Sequence, residues 1–411
     1  MMLRKFPLLL LLSALSAATT LQSCEFLLGS KKDDTVDDIF DQGAIDPNLV
    51  PQSVGYVPVL PFFQGFINPV DICVGYDEMI YVVDDNGVNV LDQKGTRYTI
   101  IPIPGATDVV QDRRLHTYIA GRVTVVRGGN TLNLPAVYHL VNTGTRTYSI
   151  IDTLIHPDCD ESRLTTPFRG AEDEQVQFTG LATLHDNTLY VSRTGPNNYF
   201  ASSARPDNAV LIFNAAGNNI DYAAGLNPVS SGLKSSVGIS SIATLAAPPQ
   251  RIFGMSESRN FVVTLNSTTT PLEFRVLALR YVVDPELGPS FAESSDLLDF
   301  DTTKAKRFLY QPGRFKSPED VFVAPDQLQY SFVVDSGTDS FYQFTNRGYE
   351  GVNAPATYSD RKQIIASFGG NGSGPFQFKD PSGVCYFKRM VYVADKGNGR
   401  ICRYKLSTDI E

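Results

Sequence analysis

From residue 53 onward the chain alternates short apolar runs with turn residues, and no stretch shows the spacing of an amphipathic helix. The apolar runs are rich in Val, Ile, Tyr and Phe, as in Ile80–Val83 and Phe332–Val334. Clusters of Gly, Pro, Asn and Asp separate them. Short strands joined by tight turns produce this pattern. It predicts an all-β fold for most of the chain.

The strand pattern repeats along the chain. Three segments share a Phe-x-x-Pro start, a first strand, and a second strand that ends in aspartate. The repeated residues are Pro69, Asp84, Pro318, Asp335, Pro381 and Asp395. Weaker copies fit residues 107–126, 179–191 and 239–263, which gives six units. Fixed-period repeats of this size indicate a solenoid or a propeller.

The last copy resembles an NHL repeat. It reads Phe368-Gly-Gly-Asn-Gly-Ser-Gly-Pro-Phe-Gln-Phe-Lys-Asp-Pro381, and then Val-Tyr-Val-Ala-Asp395-Lys-Gly-Asn-Gly-Arg400. The resemblance implies an all-β, six-bladed β-propeller of four-stranded blades. The last unit contains only three strands, so we expect residues 54–60 to become its outer strand and close the ring. Pro58 agrees with this place, because proline is tolerated on an edge strand.

Two further expectations concern loops. In the fourth unit, residues 272–283 are expected to form the outer strand and residues 285–313 a long loop on one rim. Long loops inside compact domains are often functional. Candidate aromatic contacts on loops are Tyr199, Phe200, Tyr349 and Tyr358.

The repeated motif residues have a structural interpretation. Asp84, Asp335 and Asp395 each precede a turn, and an aspartate side chain accepts backbone N–H bonds two residues further on. We therefore expect these carboxylates to fix turns. Arg400 occupies the arginine position of the motif, where we expect a structural ion pair within the blade.

The residue two positions after the motif proline is a candidate for function. The aligned units place Asp71, Asp108, Gly180, Ser241, Asp320 and Gly383 there. This position is expected at the start of the innermost strand, near the mouth of the central channel. Asp71, Asp108, Ser241 and Asp320 would offer the oxygen ligands that Ca²⁺ or Mg²⁺ prefers. The alternative is that each side chain caps its strand or binds water, and both interpretations stay open.

Residues 1–23 have the pattern of a signal peptide. A basic start at Arg4 and Lys5 precedes about a dozen apolar residues, which are fewer than the roughly 20 that span a membrane. The ending Leu-Gln-Ser-Cys24 resembles the lipobox of bacterial lipoproteins. The resemblance implies cleavage before Cys24 and attachment of acyl chains such as palmitate. Two or three such chains give stable anchoring.

Residues 24–50 are predicted to be an acidic tether between the lipid and the propeller, which we place at residues 51–411. The tether has seven acidic and two basic residues, with little apolar periodicity. Lys32-Asp33-Asp34 resembles export signals of surface lipoproteins in Bacteroidota. We expect the protein at the outer membrane, at the cell surface or facing the periplasm.

Charge and histidine content narrow the function. The chain has 35 basic and 44 acidic residues, a net charge of -9, which disfavours nucleic acid as a partner. The histidines are His116, His139, His156 and His185, and we expect them not to converge on a metal, as the histidine-held metal of amidating lyases would need. The leading hypothesis is a binding or scaffold module for a protein or a glycan. The alternative is a metal-dependent hydrolase, similar to lactonases of the gluconolactonase type, at the channel mouth.

Overall fold

The computed structural model describes residues 44–51, 53–127, 129–144, 146–155, 171–195, 210–223, 238–248, 256–268, 273–286, 288–297, 301–354 and 362–410. Contacts divide the chain into residues 1–42 and residues 43–411, and every described residue belongs to the second unit. The predicted leader, Cys24, His156 and the loop aromatics Tyr199, Phe200 and Tyr358 lie outside the described residues. Across the described ranges, no helix is both long enough and apolar enough to span a bilayer.

Short strands rich in β-branched and aromatic residues pair into six antiparallel sheets, which are the blades of a propeller. The first strands are β1 (Ala44–Ile45), β2 (Tyr56–Leu60) and β3 (Phe63–Gln64). Blade 1 contains β4 (Asp71–Val74), β5 (Ile80–Asp84), β6 (Gly87–Leu91) and β7 (Arg97–Ile101). Blade 2 contains β8 (Asp108–Gln111), β9 (His116–Arg127), β10 (Asn130–Gly144) and β11 (Thr147–Ile155).

The remaining blades follow the same order, with the first strand of each innermost. Blade 3 contains β12 (Gln177–Thr183), β13 (Leu189–Thr194), β14 (Val210–Phe213) and β15 (Asn219–Ala223). Blade 4 contains β16 (Ile239–Thr244), β17 (Phe261–Leu265), β18 (Val276–Asp284) and β19 (Gly288–Glu293). Blade 5 contains β20 (Pro318–Val323), β21 (Ser331–Asp335), β22 (Ser340–Phe344) and β23 (Phe368–Gly369). Blade 6 contains β24 (Pro381–Phe387), β25 (Met390–Asp395) and β26 (Arg400–Leu406).

Short helical turns connect some of these strands. They are Pro47–Leu49, Ala171–Glu174, Ser295–Leu297, Lys396–Asn398 and Ser407–Asp409. The six-bladed, four-stranded all-β architecture predicted from the repeat is thus confirmed.

The N-terminal strand closes the ring, as predicted. β2 pairs antiparallel with β26, from Tyr56 opposite Leu406 to Pro58 opposite Tyr404. β1 adds two further pairs on the other side of β2, so the ordered sheet begins before residue 51. The two ends of the chain are thereby held in one sheet, which leaves only short blade edges unpaired.

The expectation for the fourth unit is wrong in two respects. Residues 276–284 form the third strand of blade 4, and the outer strand is β19. The segment that follows packs as part of the fold: Leu309 and Tyr310 are buried, and Arg314 forms an ion pair with the buried Glu350. The expected outer strand lies one strand too early because β19, with the sequence Gly-Pro-Ser-Phe-Ala-Glu, is a weak strand signal. The segment expected as a rim loop therefore contributes to the core.

Candidate functional site

In each inner strand, the residue at the aligned position, two after the motif proline, lies beside the next blade. In blades 3 to 6, a register shift in the pairing of the first and second strands falls at this point. Such a bulge re-aims a side chain relative to regular strand geometry. The structure brings together Asp71, Asp108, Ser241 and Asp320, all buried, around one axial cavity. We call these four residues the axial group.

The axial side chains bond to the neighbouring blade. Asp71 accepts the backbone N–H of Val109 at 3.0 Å, and Asp320 accepts that of Val384 at 2.6 Å. Asp108 accepts the N–H of Leu181 in the same way. Ser241 donates its hydroxyl to Asp320. Each carboxyl group therefore joins two consecutive blades at the axis.

Glycine occupies the equivalent position in the other two blades because a side chain has no room there. A Cβ on Gly180 would lie 2.9 Å from the backbone nitrogen of Ile242. A Cβ on Gly383 would lie 2.9 Å from the Cα of Asp71. Real Cβ atoms do not approach so closely, so at these two boundaries the backbones themselves are in contact.

Hydroxyl groups one residue before the aligned position add bonds at three boundaries, between blades 2 and 3, blades 4 and 5, and blades 6 and 1. Thr107 donates to the carbonyl of Phe178 at 2.9 Å, and Ser240 donates to that of Pro318 at 2.7 Å. Ser382 donates to the carbonyl of Pro69 at 2.7 Å. This last bond joins blade 6 to blade 1. The motif prolines thus supply acceptors at the blade boundaries.

Burial and mutual repulsion raise the pKa values of the axial carboxyl groups. Burial, together with the charge of Asp320, raises the pKa of Asp71 to about 8. Burial and the charge of Asp71 raise the pKa of Asp108. Burial raises the pKa of Asp320 to about 6, against the opposing effect of its bonds from Ser241 and Val384. When several carboxyl groups share a site, ionising all of them is unfavourable because their charges repel.

The cavity between the inner strands is small, about 70 Å³. It has room for a few ordered waters, whereas pockets for drug-sized ligands measure roughly 300–1,000 Å³. The hydroxyl of Thr183 lines it and has no hydrogen-bond partner in the structure, which is consistent with bound water. Among the residues that the structure describes, no three His, Cys, Asp or Glu side chains are grouped to hold a metal ion. The metal interpretation of the axial group stays a prediction.

The motif aspartates lie away from this cavity and bond to backbone. Asp84 accepts the N–H of Asn86 at 2.9 Å and that of Ile67 at 3.1 Å. Asp335 accepts the N–H of Gly337 at 2.8 Å and that of Lys316 at 2.7 Å. Each carboxylate therefore joins the turn after the second strand to the segment that leads into the first.

Asp395 adds an ion pair to this scheme. Its carboxylate accepts the N–H of Lys379 at 2.8 Å and the Nε–H of Arg400 at 2.7 Å. The Arg400 guanidinium also donates to the carbonyls of Ser373, Gly374 and Gln377. Each nitrogen of the Arg400 guanidinium thus donates at least one hydrogen bond.

The expectation that the histidines do not converge is wrong for two of them. Nδ1 of His116 lies 2.8 Å from Nε2 of His139, across β9 and β10. His139 stacks on the ring of Tyr118, with centroids 4.4 Å apart. Sequence reasoning assigned the two residues to different strands correctly but did not use the hairpin register, which places them diagonally opposite. His185 lies in the corresponding turn of blade 3, where its carbonyl accepts a bond from Arg113.

Tyr349, one of the aromatic residues expected to make contacts on a loop, does not lie on the surface. Tyr349 is buried against Phe308, with ring centroids 5.9 Å apart, because residues 301–315 cover it. It is a core residue.

Several solved structures are similar to this chain, each at low sequence identity. No family model and no curated protein matches it. A solved candidate gluconolactonase is 11% identical, with a TM-score of 0.46, covering 89% of this chain and 97% of its own. A PQQ-bound aldose sugar dehydrogenase from Streptomyces coelicolor is 9% identical, with a TM-score of 0.47, covering 87% and 99%. A protein of unknown function from Bacteroides thetaiotaomicron is 14% identical, with a TM-score of 0.47, covering 87% and 73%. The likeness is one of fold, and the activities of these proteins are not carried over.

Proposed function

We propose that this chain is a lipid-anchored protein of the bacterial outer membrane whose propeller binds a protein partner on its outer surface. Residues 1–23 are the cleaved leader, Cys24 is the lipid attachment site, and residues 24–50 are the tether. The support for this part is the sequence alone: the basic start, the short apolar run and the Leu-Gln-Ser-Cys24 ending. The repeat resemblance to NHL propellers belongs to the same proposal.

The observation that carries the binding role is the closed axis. The carboxyl groups of the axial group accept bonds from the next blade, and the remaining space is about 70 Å³. A sugar or lactone would need several times that volume. The propeller therefore offers its outer surface to a ligand in preference to its channel.

The outer edge of blade 2 is the surface we assign to the partner. β11 is nine residues long and is the longest outer strand among the described residues. The pairing of β11 with β10 has a register shift beside Leu140. As a result, two adjacent side chains, Ile150 and Ile151, both point outward, and they are 52% and 51% exposed. A long apolar edge strand is suited to pairing with an extended segment of another protein. The chain contains no Trp, which favours a protein over a glycan as the partner.

Anchoring is tested by metabolic labelling with an alkyne fatty acid in a Bacteroidota host that expresses the full chain. Wild-type protein and Ser23→Ala should carry the label and sediment with the outer membrane. Cys24→Ser should lose both properties. Labelled Cys24→Ser protein, or unlabelled wild type, would contradict the lipoprotein assignment. Protease treatment of intact cells then separates the surface face from the periplasmic face.

Partner binding is tested with a photo-crosslinking residue at Ile151 in the same host. We expect one discrete crosslinked protein, and we expect Ile150→Asp to reduce it at least tenfold. Ile220→Asp is the matched control, because Ile220 is 56% exposed on the outer strand of blade 3. Equal loss with both variants, or no discrete product, would contradict the assignment of β11. A product sensitive to glycosidase would favour the glycan alternative.

A metal-dependent hydrolase, similar to gluconolactonase-type lactonases, is the second candidate. The observation in its favour is the convergence of three carboxyl groups, Asp71, Asp108 and Asp320, on one cavity. It would require Ca²⁺ or Mg²⁺ to displace protons and interblade bonds from all three. Titration with CaCl₂ and MgCl₂ separates the two candidates, because only the hydrolase requires a saturable site at the axial group.

A further inference from the structure

Blade 2 contains a pair of imidazoles whose nitrogens point at each other. His116 begins β9 and His139 lies on β10, where it is opposite Tyr118 in the register. Nδ1 of His116 and Nε2 of His139 are 2.8 Å apart, and the ring centroids are 4.9 Å apart. Both residues lie on the second and third strands of the blade, outside the axial cavity. Nothing in the proposed binding role uses them.

The pair is held in a neutral, partly enclosed setting. Burial lowers the pKa of His116, and burial together with His116 lowers the pKa of His139 to about 4. Asp112 is buried and forms a salt bridge of 2.6 Å with Arg114, so these two charges offset each other beside the rings. His139 is buried, while His116 is half-buried, which leaves the pair open to solvent on one side. The pair is therefore accessible to small ions from the solvent side.

Neutral imidazole nitrogens at this separation are suited to a shared metal ion. In the observed pair, one inner nitrogen carries a proton and the other accepts it. A tautomeric shift of that proton to the outer nitrogen of the same ring leaves two lone pairs facing one point, with no net release of protons. Zn–N bonds of about 2.0–2.1 Å at a tetrahedral angle place two nitrogens about 3.4 Å apart. The rings need to separate by about 0.6 Å and to turn so that both lone pairs point at the ion.

We propose that His116 and His139 bind one divalent transition-metal ion, Zn²⁺ or Cu²⁺, through Nδ1 and Nε2. Imidazole ligands favour these ions over Ca²⁺ and Mg²⁺. Stacking on Tyr118 orients the His139 ring toward the ion. No group of three His, Cys, Asp or Glu ligands occurs within the described ranges, so water completes the coordination. A site with two protein ligands is expected to bind more weakly than a four-ligand structural site.

The test uses the untagged full chain, purified in mild detergent and treated with chelator. Titration calorimetry with ZnCl₂ or CuCl₂ should give one saturable site, and Cu²⁺ electron paramagnetic resonance should show coordination by two nitrogens. His116→Gln and His139→Gln should each weaken this site at least tenfold. His185→Gln is the matched control and should bind as wild type, because His185 lies on the neighbouring blade.

Two outcomes overturn the proposal. One is a titration curve of the His116→Gln, His139→Gln double variant that matches the wild type. The other is a Cu²⁺ spectrum without nitrogen ligation. Thermal unfolding without metal shows whether each variant is folded. If one single variant is misfolded, the other single variant and the spectrum of the wild type still decide the question.

Discussion

The backbone N–H of Val384 donates to a carboxyl oxygen of Asp320 at 2.6 Å, across the boundary between blades 5 and 6. The same relationship joins Val109 to Asp71 between blades 1 and 2. Hydrogen bonds to buried carboxyl groups are strong only while their geometry is kept. The axial group is therefore a set of fasteners between consecutive inner strands, and its acidity has a consequence for stability.

The raised pKa values predict that the propeller loses stability as pH rises. The folded pKa of Asp71, about 8, lies above the unfolded value of about 3.9, so the folded state holds more protons. The contribution of Asp71 to the free energy of unfolding is then fully present below about pH 4 and is lost progressively up to about pH 8. We expect the wild type to lose at least about 2 kcal/mol between pH 5 and 8 from this source. Denaturant unfolding across this range measures it.

The variant Asp71→Asn, Asp108→Asn, Asp320→Asn should flatten that pH profile, because an amide oxygen keeps the acceptor and removes the titration. The matched control is Asp85→Asn, at an exposed turn position, which should leave the profile as in the wild type. A triple variant with the full wild-type slope would show that the axial carboxyl groups are ionised throughout.

Gly383→Ala should destabilise the ring where blade 6 meets blade 1. The added methyl group would lie 2.9 Å from the Cα of Asp71, and backbone cannot move aside as a flexible side chain can. We expect a cost of about 1–3 kcal/mol in the free energy of unfolding. Gly144→Ala is the control, since nothing lies within 4 Å of a Cβ at that position. Equal stability of the two variants would contradict close contact at this boundary.

Variants of Tyr56 test whether the ring depends on its closing strand, β2. Its hydroxyl donates to Oε1 of the buried Gln343 at 2.6 Å, and its ring meets Phe341 edge-on at 5.3 Å. Tyr56→Phe should cost about 1–2 kcal/mol, because Gln343 keeps an unpaired oxygen. Tyr56→Ala should cost about 3–5 kcal/mol.

The control for closure is Tyr98→Ala, since Tyr98 is 39% exposed on an outer strand. It should change the midpoint of chemical unfolding little. A Tyr56→Ala variant as stable as Tyr98→Ala would mean that the ring does not depend on β2.

Arg400→Lys is expected to destabilise blade 6 although it keeps the charge. The guanidinium bonds Asp395 through Nε and three carbonyl groups through its terminal nitrogens. A lysine ammonium cannot reproduce this planar set of donors. We expect a cost of about 1–3 kcal/mol, measured by thermal unfolding. If Arg400→Lys is as stable as the wild type, the planar set of hydrogen bonds from Arg400 does not stabilise blade 6.

The fold could be predicted further than the site. Alternating apolar runs and the Phe-x-x-Pro repeat specified strands, blade number and closure by β2, because these depend on local periodicity. The alignment of the repeat also placed Asp71, Asp108 and Asp320 at one level of the ring. Their bonding partners could not be predicted, since they are backbone groups of the next blade, and these contacts depend on how the blades pack.

Long-range register explains the misses. The contact of His116 with His139 depends on the register of the β9–β10 hairpin. Gly128-Gly129 is a two-residue hairpin signal from which this register could have been predicted. The burial of Tyr349 depends on residues 301–315 folding back over blade 5. β19 has the sequence Gly-Pro-Ser-Phe-Ala-Glu, which is a weak strand signal, and this shifted the expected outer strand of blade 4 by one.

We infer that the axial group fastens blades together and does not hold a catalytic metal. Titration calorimetry of the chelator-treated full chain with CaCl₂ and with MgCl₂, for the wild type and the triple Asp→Asn variant, tests this inference. The wild type and the triple variant are expected to give the same heats, with no saturable axial site. A one-to-one site for either ion in the wild type that disappears in the triple variant would contradict it and favour the hydrolase.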